Sequence, residues 1–358
     1  MGEENNGFWK LVKNLELLSK NREIDRPTWL SEVFPEWGTY LNDEIENTEV
    51  KTGTFALWWF GACSFYLKTH GNANVLVDNY SGPSIAAAWE PNTKIGVLRQ
   101  TGAISQVWLR LNPHVIDPFA FKEVDVLLSS HSHVDHCDIY TIKPLLKNTD
   151  CLFIGPHRSC LKFIEFEVPK ERIVEMNVGD SYRIKDLEIM ALESADRTAL
   201  SEVDDPIKGM NEAALNYLLK TPVGNIYYAG DSHYSNMFFK HGREHEIDLA
   251  LIAFGENPDG MTDKMTPYDA YRVAKALRAK VFIPIHYDNW AIVQGDPLEL
   301  ERTVQEKAPW MKTVIMQWGG KFEYPTDIGI KRYKYPRQEE KFRPEYSWEY
   351  GEKRKTLY

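Results

Sequence analysis

Histidine and aspartate side chains are concentrated in the run HSHVDH at residues 131–136. The run directly follows VDVLLSS (124–130), a short apolar stretch typical of a buried strand. Its members His131, His133, Asp135 and His136 would cost several kcal/mol if they were buried without partners. Imidazole and carboxylate groups suit Zn²⁺, Mn²⁺ and Fe²⁺, and in extended backbone His131 and His133 would point to the same side. The run therefore predicts a divalent metal site at a strand end.

Two more residues of ligand type stand at strand ends. Asp231 follows the apolar run NIYYAG, and His286 follows KVFIPI. A carboxylate at Asp231 could bridge two metal ions, and His286 could complete the second ion. Two ions about 3.5–4 Å apart hold a nucleophilic water and polarise an electrophile. The spacing thus favours hydrolysis at a dinuclear centre.

Simpler interpretations exist for each of these residues. HSHVDH could be a solvated polar turn, Asp231 a turn aspartate after glycine, and His286 a hydrogen-bonded core histidine, but the three together favour the metal site. His233 stays open between a structural role and a place beside the metals or the substrate, and Cys137 is expected to be a packing thiol. Structural roles are expected for the other histidines, His70, His114, His157, His241 and His245.

The elements that must position these residues are short apolar runs separated by turns. They outnumber the helix patterns and do not alternate regularly with them, and neither a GxGxxG nor a P-loop motif occurs. The clearest helix is predicted over residues 266–279, where Thr266 is the N-cap, Pro267 stands in the first turn and Asp269 can complete a capping box. This pattern predicts layered α/β structure with mixed sheets. The predicted strands are FALWWFG, SFYLK, NVLVDNY, VDVLLSS, CLFIG, LEIMAL, LNYLLK, NIYYAG, DLALIAF, KVFIPI and KTVIMQW.

Composition limits the classes of protein to consider. The 358 residues are 43% hydrophobic and 26% charged, an ordinary globular balance, and their formal net charge is −10. The acidic balance argues against nucleic acid or an anionic membrane as the main partner. The sequence has no secretory signal and no stretch of about 18 apolar residues, so a cytoplasmic location is expected. The four cysteines form no CxxC pair and are expected to be reduced and buried.

The ordered set of HxHxDH, a strand-end aspartate and a strand-end histidine is the signature of the metallo-β-lactamase superfamily, which the chain therefore resembles. It is still more similar to the L-ascorbate-6-phosphate lactonases, through stretches such as FPEWGTYLNDEIE, LNYLLKTPVGNIYYAGDSHYSN, GENPDGMTDKMT and IPIHYDNW. The resemblance implies an α/β fold, a four-layer αβ/βα sandwich with the metals at the edge between two sheets. We expect this domain over residues 51–325, a helical extension over 1–50, and an arm over 326–358 that packs on the body or on a neighbouring subunit.

The resemblance also implies a ligand set. One metal ion would be held by His131, His133 and Asp196, and Asp231 would bridge to a second ion. The second would be held by Asp135, His136 and His286. Asp196 stands where most superfamily members have another histidine, and an oxygen ligand there favours Mn²⁺ over Zn²⁺. Pairing of Asp196 with Arg197 is the alternative.

The activity implied by the resemblance is hydrolysis of the lactone ring of L-ascorbate 6-phosphate to 3-keto-L-gulonate 6-phosphate. A metal-bound hydroxide would attack the lactone carbonyl, and Asp135 could double as a proton shuttle. Arg197 or Lys264 could bind the substrate phosphate, although either could instead be a surface or structural ion pair; His233 and Tyr234 could line the pocket. The family implies a homo-oligomer, of which a hexamer is one candidate form. The alternatives are a metal-dependent phosphodiesterase or ribonuclease on the same site, and a metal-binding protein without catalysis.

Overall fold

Two seven-stranded β-sheets form the centre of the molecule. A computed structural model of the chain describes residues 23–33, 39–83, 110–202, 209–257, 263–291 and 293–330. The strands are β1 (Phe55–Gly61), β2 (Ser64–Thr69), β3 (Asn74–Val77), β4 (Val126–Leu128), β5 (Leu152–Gly155), β6 (Ile173–Glu175), β7 (Ser181–Ile184), β8 (Leu187–Glu193), β9 (Leu215–Lys220), β10 (Asn225–Tyr228), β11 (Leu249–Ala253), β12 (Val281–Ile285), β13 (Lys312–Thr313) and β14 (Lys321–Tyr324). The strands of the first sheet lie in the order β14-β1-β2-β3-β4-β5-β6, and those of the second in the order β13-β12-β11-β10-β9-β8-β7.

Helices cover the outer face of each sheet. Helices α2, α3 and α4 contribute side chains to an apolar cluster on the first sheet, and α6, α7 and α8 do the same on the second. The layers are therefore helix, sheet, sheet, helix, which confirms the predicted four-layer αβ/βα sandwich. The helices are α1 (Arg26–Val33), α2 (Thr39–Asn47), α3 (Ile139–Asn148), α4 (His157–Glu165), α5 (Met210–Ala213), α6 (Met237–Glu244), α7 (Pro267–Leu277) and α8 (Pro297–Lys307), with short 3₁₀ turns at Pro118–Ala120, Lys170–Arg172 and Ala199–Glu202.

Strand β1 shows why continuous apolar runs form these sheets. Alternate side chains of a strand point to opposite faces. Phe55, Leu57 and Trp59 enter the core between the two sheets, whereas Ala56 and Trp58 pack under the helices. A strand buried on both faces has no polar alternation, so it reads as an unbroken apolar run.

Each sheet is antiparallel on one side and parallel on the other. Strands β3 to β6 pair in parallel in the first sheet, and β10 to β13 do so in the second. The carboxyl ends of parallel strands meet at one edge of a sheet, where ligand sites are usually built. The two sheets are joined at that edge by a bridge between His131 and Ala214 and by a 2.9 Å bond from Leu215 N to Ser130 O.

Most of the predicted elements are present. Helix α7 begins at Pro267 after Thr266, whose hydroxyl accepts a bond from Asp269 N at 3.2 Å, so the predicted N-cap is confirmed. The predicted strand at 312–318 is wrong beyond Thr313. The prediction missed β6, β7 and β14, which are three or four residues long and are only partly buried.

The predicted terminal segments fall largely outside the described residues. Of the helical extension at 1–50, the structure describes 23–33 and 39–50, which include α1 and α2. Residues 331–358 of the predicted arm lie outside the described part, so the division into three parts stays a prediction. Among the described helices, none combines the length and apolar character that crossing a membrane requires.

Candidate metal centre

The ligand-type residues lie at the ends of four strands along the edge that joins the sheets. The histidine-rich run follows β4, Asp196 follows β8, Asp231 follows β10, and His286 follows β12. The buried side chains among them are those of His131, Asp135, His136, Asp196, Asp231 and His286, whereas His133 is partly exposed. One expectation is wrong: β4 ends at Leu128, so His131 and His133 are not placed by an extended strand. They meet because the chain bends after the bridge at His131, which brings His131 Nε2 within 2.9 Å of His133 Nδ1.

We call the candidate ligands the metal-ligand cluster: His131, His133, Asp135, His136, Asp196, Asp231 and His286. Four of its members, Asp135, His136, Asp231 and His286, place their donor atoms around one point. Asp231 Oδ1 lies 3.5 Å from His286 Nε2, and Asp231 Oδ2 lies 3.5 Å from His136 Nε2. Asp135 Oδ2 lies 3.3 Å from His286 Nε2. These separations exceed those of normal hydrogen bonds. Ligand atoms about 2.0–2.2 Å from one ion lie roughly 3.0–3.5 Å apart, so the spacing fits donors around a divalent metal.

Unsatisfied polar atoms support the same interpretation. His136 Nε2, His286 Nε2 and Asp196 Oδ2 are buried and have no hydrogen-bond partner among the described residues. Buried polar atoms normally have a hydrogen-bond partner, and the folded protein loses stability when one of them does not. Bound metal ions would satisfy all three atoms. Burial and the neighbouring His136 lower the pKa of His131 to about 4, so this imidazole is neutral, the form that binds metals.

Asp196 faces the histidine-rich run. Its Oδ2 atom lies 3.5 Å from His131 Nδ1, and its Oδ1 atom accepts bonds from Thr198 N at 3.0 Å and Ala199 N at 3.1 Å. No ion pair joins Asp196 to Arg197 in the part of the chain that the structure describes. One carboxylate oxygen is therefore fixed by the backbone while the other points into the cluster.

The loops that carry Asp196 and Asp231 are tied together next to the cluster. The Ser232 hydroxyl lies 2.8 Å from that of Ser194, accepts a 3.1 Å bond from Ala195 N, and donates to Asn216 Oδ1 at 2.7 Å. His233 N bonds Ala195 O at 3.1 Å. The turn into Asp231 also needs Gly230, whose φ is +50°, because a Cβ there would lie 2.9 Å from Ser130 Oγ.

Asp78 was not predicted, yet it contacts the cluster directly. It follows β3 with a φ of 40°, and its Oδ2 atom lies 2.7 Å from His136 Nδ1. Its other oxygen accepts a 2.7 Å bond from Ser130 N. A carboxylate in this position orients a ligating imidazole and raises its basicity. The signal was present in the sequence, since Asp78 follows the apolar residues of NVLV as Asp231 follows NIYYAG.

Lys264 contacts the metal-ligand cluster through Asp231. Its Nζ atom is 2.7 Å from Asp231 Oδ2 and 2.9 Å from Asp263 Oδ2, and its side chain is 2% exposed. Burial opposes the charge, but the Asp231 and Asp263 carboxylates outweigh it and hold the pKa of Lys264 well above its ordinary value. The same ammonium and His286 outweigh burial at Asp231 and hold its pKa well below the ordinary value. Lys264 therefore balances negative charge at the cluster.

A cavity of about 400 Å³ opens beside these loops. Arg197 and Tyr234 contribute to its lining, and the Arg272 guanidinium lies 3.7 Å from the centre of the Tyr234 ring. His233 contacts Arg197: the Arg197 backbone N–H donates to His233 Nδ1 at 3.4 Å. The lining residues are Ala195, Arg197, Met210, Tyr234, Ser235 and Asn236.

Two further contacts had no clear sequence signal. Asn289 Nδ2 donates to Asp135 Oδ2 at 3.2 Å, and Cys63 Sγ lies 3.6 Å from Asp231 Oδ1. The four cysteines are free and buried, as expected. Three histidines outside the cluster have other partners: His114 bonds Gly82 O, His157 pairs with Glu175, and His241 bonds Tyr227 and Glu193.

Comparison with known proteins identifies the family. The model of the beta-lactamase superfamily domain matches residues 86–287. The probable L-ascorbate-6-phosphate lactonase UlaG of Escherichia fergusonii is 44% identical over 336 residues, which take in 89% of this chain and 95% of the relative. The protein of the same name from Escherichia coli O45:K1 matches with the same identity and coverage. The chain belongs to the L-ascorbate-6-phosphate lactonase family. It is thus a metal-dependent hydrolase of the beta-lactamase superfamily, and its family implies a divalent metal ion.

Solved structures agree on the fold. A metallo hydrolase from Ignicoccus hospitalis superposes with a TM-score of 0.53 at 19% identity, covering 76% of this chain and 98% of that one. An isothiocyanate hydrolase from Delia radicum gut bacteria gives 0.58 at 15% identity, covering 75% and 98%. At these identities the likeness concerns the fold alone, and it agrees with the metallo-β-lactamase fold expected from the sequence.

Proposed function

We propose that this protein hydrolyses the lactone ring of L-ascorbate 6-phosphate to give 3-keto-L-gulonate 6-phosphate. One observation carries the proposal: the loops that bring Asp196 and Asp231 into the ligand cluster also form the walls of the cavity at Arg197 and Tyr234. A small substrate with a reactive lactone carbonyl in its ring and a phosphate on its side chain fits such an arrangement. The relatives named as lactonases of this substrate support the same assignment.

We assign the ligands to two ions. His131, His133 and Asp196 would hold the first, and Asp135, His136 and His286 would hold the second. Asp231 would serve both ions. The spacing of the donors and the unpartnered atoms at His136, His286 and Asp196 support this division. The oxygen ligand at Asp196 favours Mn²⁺, with Zn²⁺ as the alternative ion.

When bound, the ions supply Lewis acidity toward the lactone carbonyl and lower the pKa of a water molecule. Asp135 is the proton carrier: it accepts a proton from the attacking water and returns it to the ring oxygen when the C–O bond breaks. The Asn289 amide orients the Asp135 carboxylate through its 3.2 Å bond. The Lys264 ammonium donates to one oxygen of Asp231 and partly neutralises that carboxylate. The lactone carbonyl oxygen, which becomes negative during attack, is therefore repelled less by Asp231.

Arg197 binds the substrate phosphate in the cavity. Its guanidinium is exposed, whereas the Lys264 ammonium is enclosed by two carboxylates, so Arg197 is the better placed of the two cations named from the sequence. Helix α6 begins directly after Asn236, and the partial positive charge of a helix N-terminus favours an anion. Tyr234 forms the apolar wall. The His233 side chain accepts a hydrogen bond from the Arg197 backbone N–H. It therefore acts on the substrate only indirectly, by positioning Arg197.

We expect the protein in the cytoplasm, without nucleic acid or membrane as a partner, and as a homo-oligomer with a hexamer as one candidate form. Light scattering of the purified full chain measures the number of subunits directly.

Substrate selectivity tests the proposed function. Metal-free protein is reconstituted separately with Mn²⁺ and Zn²⁺ and offered L-ascorbate 6-phosphate or a phosphodiester. We expect ring opening of the lactone, detected as loss of its ultraviolet absorbance and as gain of one water in the product mass. Phosphodiester hydrolysis without lactone turnover would instead assign the site to the phosphodiesterase alternative.

A further inference from the structure

Cys63 faces the metal-ligand cluster and has no role in the proposed reaction. It lies in the turn between β1 and β2, is fully buried, and places its Sγ atom 3.6 Å from Asp231 Oδ1. As a hydrogen bond this contact is weak, because a thiol is a poor donor. The contact therefore does not by itself account for a thiol at this position.

The thiol belongs to a group of four donors. The ligand atoms of Cys63, His136, Asp231 and His286 all lie within 4.8 Å of one another, and all four residues are buried. His136 Nε2 and His286 Nε2 have no hydrogen-bond partner among the described residues. The sulfur thus faces two imidazole nitrogens that lack a partner.

The separation between sulfur and oxygen suits two ligands of one ion. A sulfur about 2.3 Å and an oxygen about 2.1 Å from one ion, at an angle of about 110°, lie roughly 3.6 Å apart, the distance between Cys63 Sγ and Asp231 Oδ1. The position of the thiol is also fixed. Ala62 N bonds the Asp288 carboxylate at 3.1 Å, and Ala62 O accepts a 3.1 Å bond from His286 N. The turn that carries Cys63 is therefore locked to the strand end that carries His286.

We propose that Cys63 is a sulfur ligand of the second ion, in addition to Asp135, His136, Asp231 and His286. On binding, the sulfur–metal bond replaces the S–H bond and the proton is released to solvent. The two metal sites then differ in the ion they prefer. The site with the Cys63 thiolate selects ions such as Zn²⁺, Co²⁺ or Fe²⁺, whereas the site with Asp196 favours a harder ion. The inference rests on the metal-binding part of the proposed function and not on its substrate.

Cobalt substitution tests the sulfur ligand without an activity assay. Metal-free full-length protein is loaded with Co²⁺, and its visible bands report that the site is filled. We expect an additional near-ultraviolet thiolate-to-cobalt charge-transfer band in the wild type and in Cys160→Ser, a buried thiol elsewhere in the fold, and its loss in Cys63→Ser. We also expect Cys63→Ser to weaken Zn²⁺ binding at least 10-fold while Mn²⁺ binding changes little.

Wild-type protein alone can overturn the proposal, whatever the folding of the variant. Visible cobalt bands without the charge-transfer band mean that sulfur is not a ligand, and a band that persists in Cys63→Ser means that another thiol supplies it. Failure to bind Co²⁺ at all would overturn both this inference and the metal site. A charge-transfer band in protein that does not hydrolyse the lactone would support the ligand and contradict only the substrate assignment.

Discussion

Asp78 Oδ2 lies 2.7 Å from His136 Nδ1, so a buried carboxylate holds the imidazole whose Nε2 atom points at Asp231. Asp78 also accepts bonds from Ser130 N and from the Tyr228 hydroxyl. Both the histidine-rich run and β10 are thereby connected to one side chain. The position of the metal ligands depends on a residue that is not itself in the predicted ligand set.

Replacement of Asp78 is expected to weaken metal binding. In Asp78→Asn an NH2 group would replace the carboxylate oxygen that faces His136 Nδ1, so His136 loses its orienting acceptor. We expect roughly 10- to 100-fold lower metal affinity. Competition with a metal indicator measures it. The matched control is Asp150→Asn, an exposed aspartate beyond α3, which should bind like the wild type. Equal affinity of the two variants would contradict a role for Asp78 in holding His136.

The tie between the Asp196 and Asp231 loops gives a second prediction. Ser232→Ala leaves Asn216 Oδ1 and Ala195 N without the Ser232 hydroxyl, so we expect the free energy of unfolding to fall by about 1–3 kcal/mol. Metal affinity should fall as well, because Asp196 is no longer held against His131. Urea unfolding and metal titration measure the two effects. The surface variant Ser181→Ala should stay within about 0.5 kcal/mol, and an equally small effect of Ser232→Ala would count against the tie.

Glu193 gives a dependence of stability on pH. Partial burial tends to raise the pKa of Glu193, but bonds from Lys240 and His241 outweigh it and lower the pKa to about 2 from an ordinary 4.5. The ionised form is therefore favoured in the folded state. Its stabilisation is present above about pH 4.5 and is lost as the pH falls toward 2.

We expect wild type to be more stable than Glu193→Gln by on the order of 1 kcal/mol near neutral pH, since the side chain is 31% exposed and partly screened. The difference should disappear as the pH approaches 2. Denaturant unfolding across this range measures it, with Glu306→Gln on the exposed face of α8 as control. A difference that stays constant with pH would refute the assignment.

Arg197 gives a prediction on substrate binding. Loss of one charge-assisted contact costs about 1.5–3 kcal/mol, so Arg197→Ala should raise KM for L-ascorbate 6-phosphate roughly 10- to 100-fold with little change in kcat. KM for the unphosphorylated lactone should not change. Arg183→Ala, whose side chain is 75% exposed on β7, is the control. An equal rise in KM for both substrates would mean that Arg197 does not bind the phosphate in this cavity.

The sequence predicted the architecture better than the contacts within the site. Buried strands are apolar on both faces, so runs such as LNYLLK coincide with β9 from its first residue to its last. Strand β7 was missed because its side chains alternate between exposed and partly buried positions, and no apolar run marks it. Strand-end position also selected Asp231 and His286 as candidate ligands. The structure brings these two side chains together, since parallel strands have their carboxyl ends at one edge.

Contacts between distant loops had no such signal. Lys264 lies 33 positions from Asp231 in the chain, and no spacing rule places its ammonium on that carboxylate. Cys63 lies 168 positions from Asp231 and reaches it only because the β1–β2 turn is locked to the end of β12. Such contacts follow from how the two sheets pack, which short sequence motifs do not encode.

Lactone hydrolysis is expected to depend on metal that the His and Asp cluster binds. The most direct test is to titrate metal-free protein with Mn²⁺ and follow both bound metal and turnover of L-ascorbate 6-phosphate, in the wild type and in Asp231→Ala. We predict that wild-type turnover rises with bound metal from a negligible value, and that Asp231→Ala binds less metal and stays inactive. Lactone turnover by metal-free protein, or full activity of Asp231→Ala, would contradict the account.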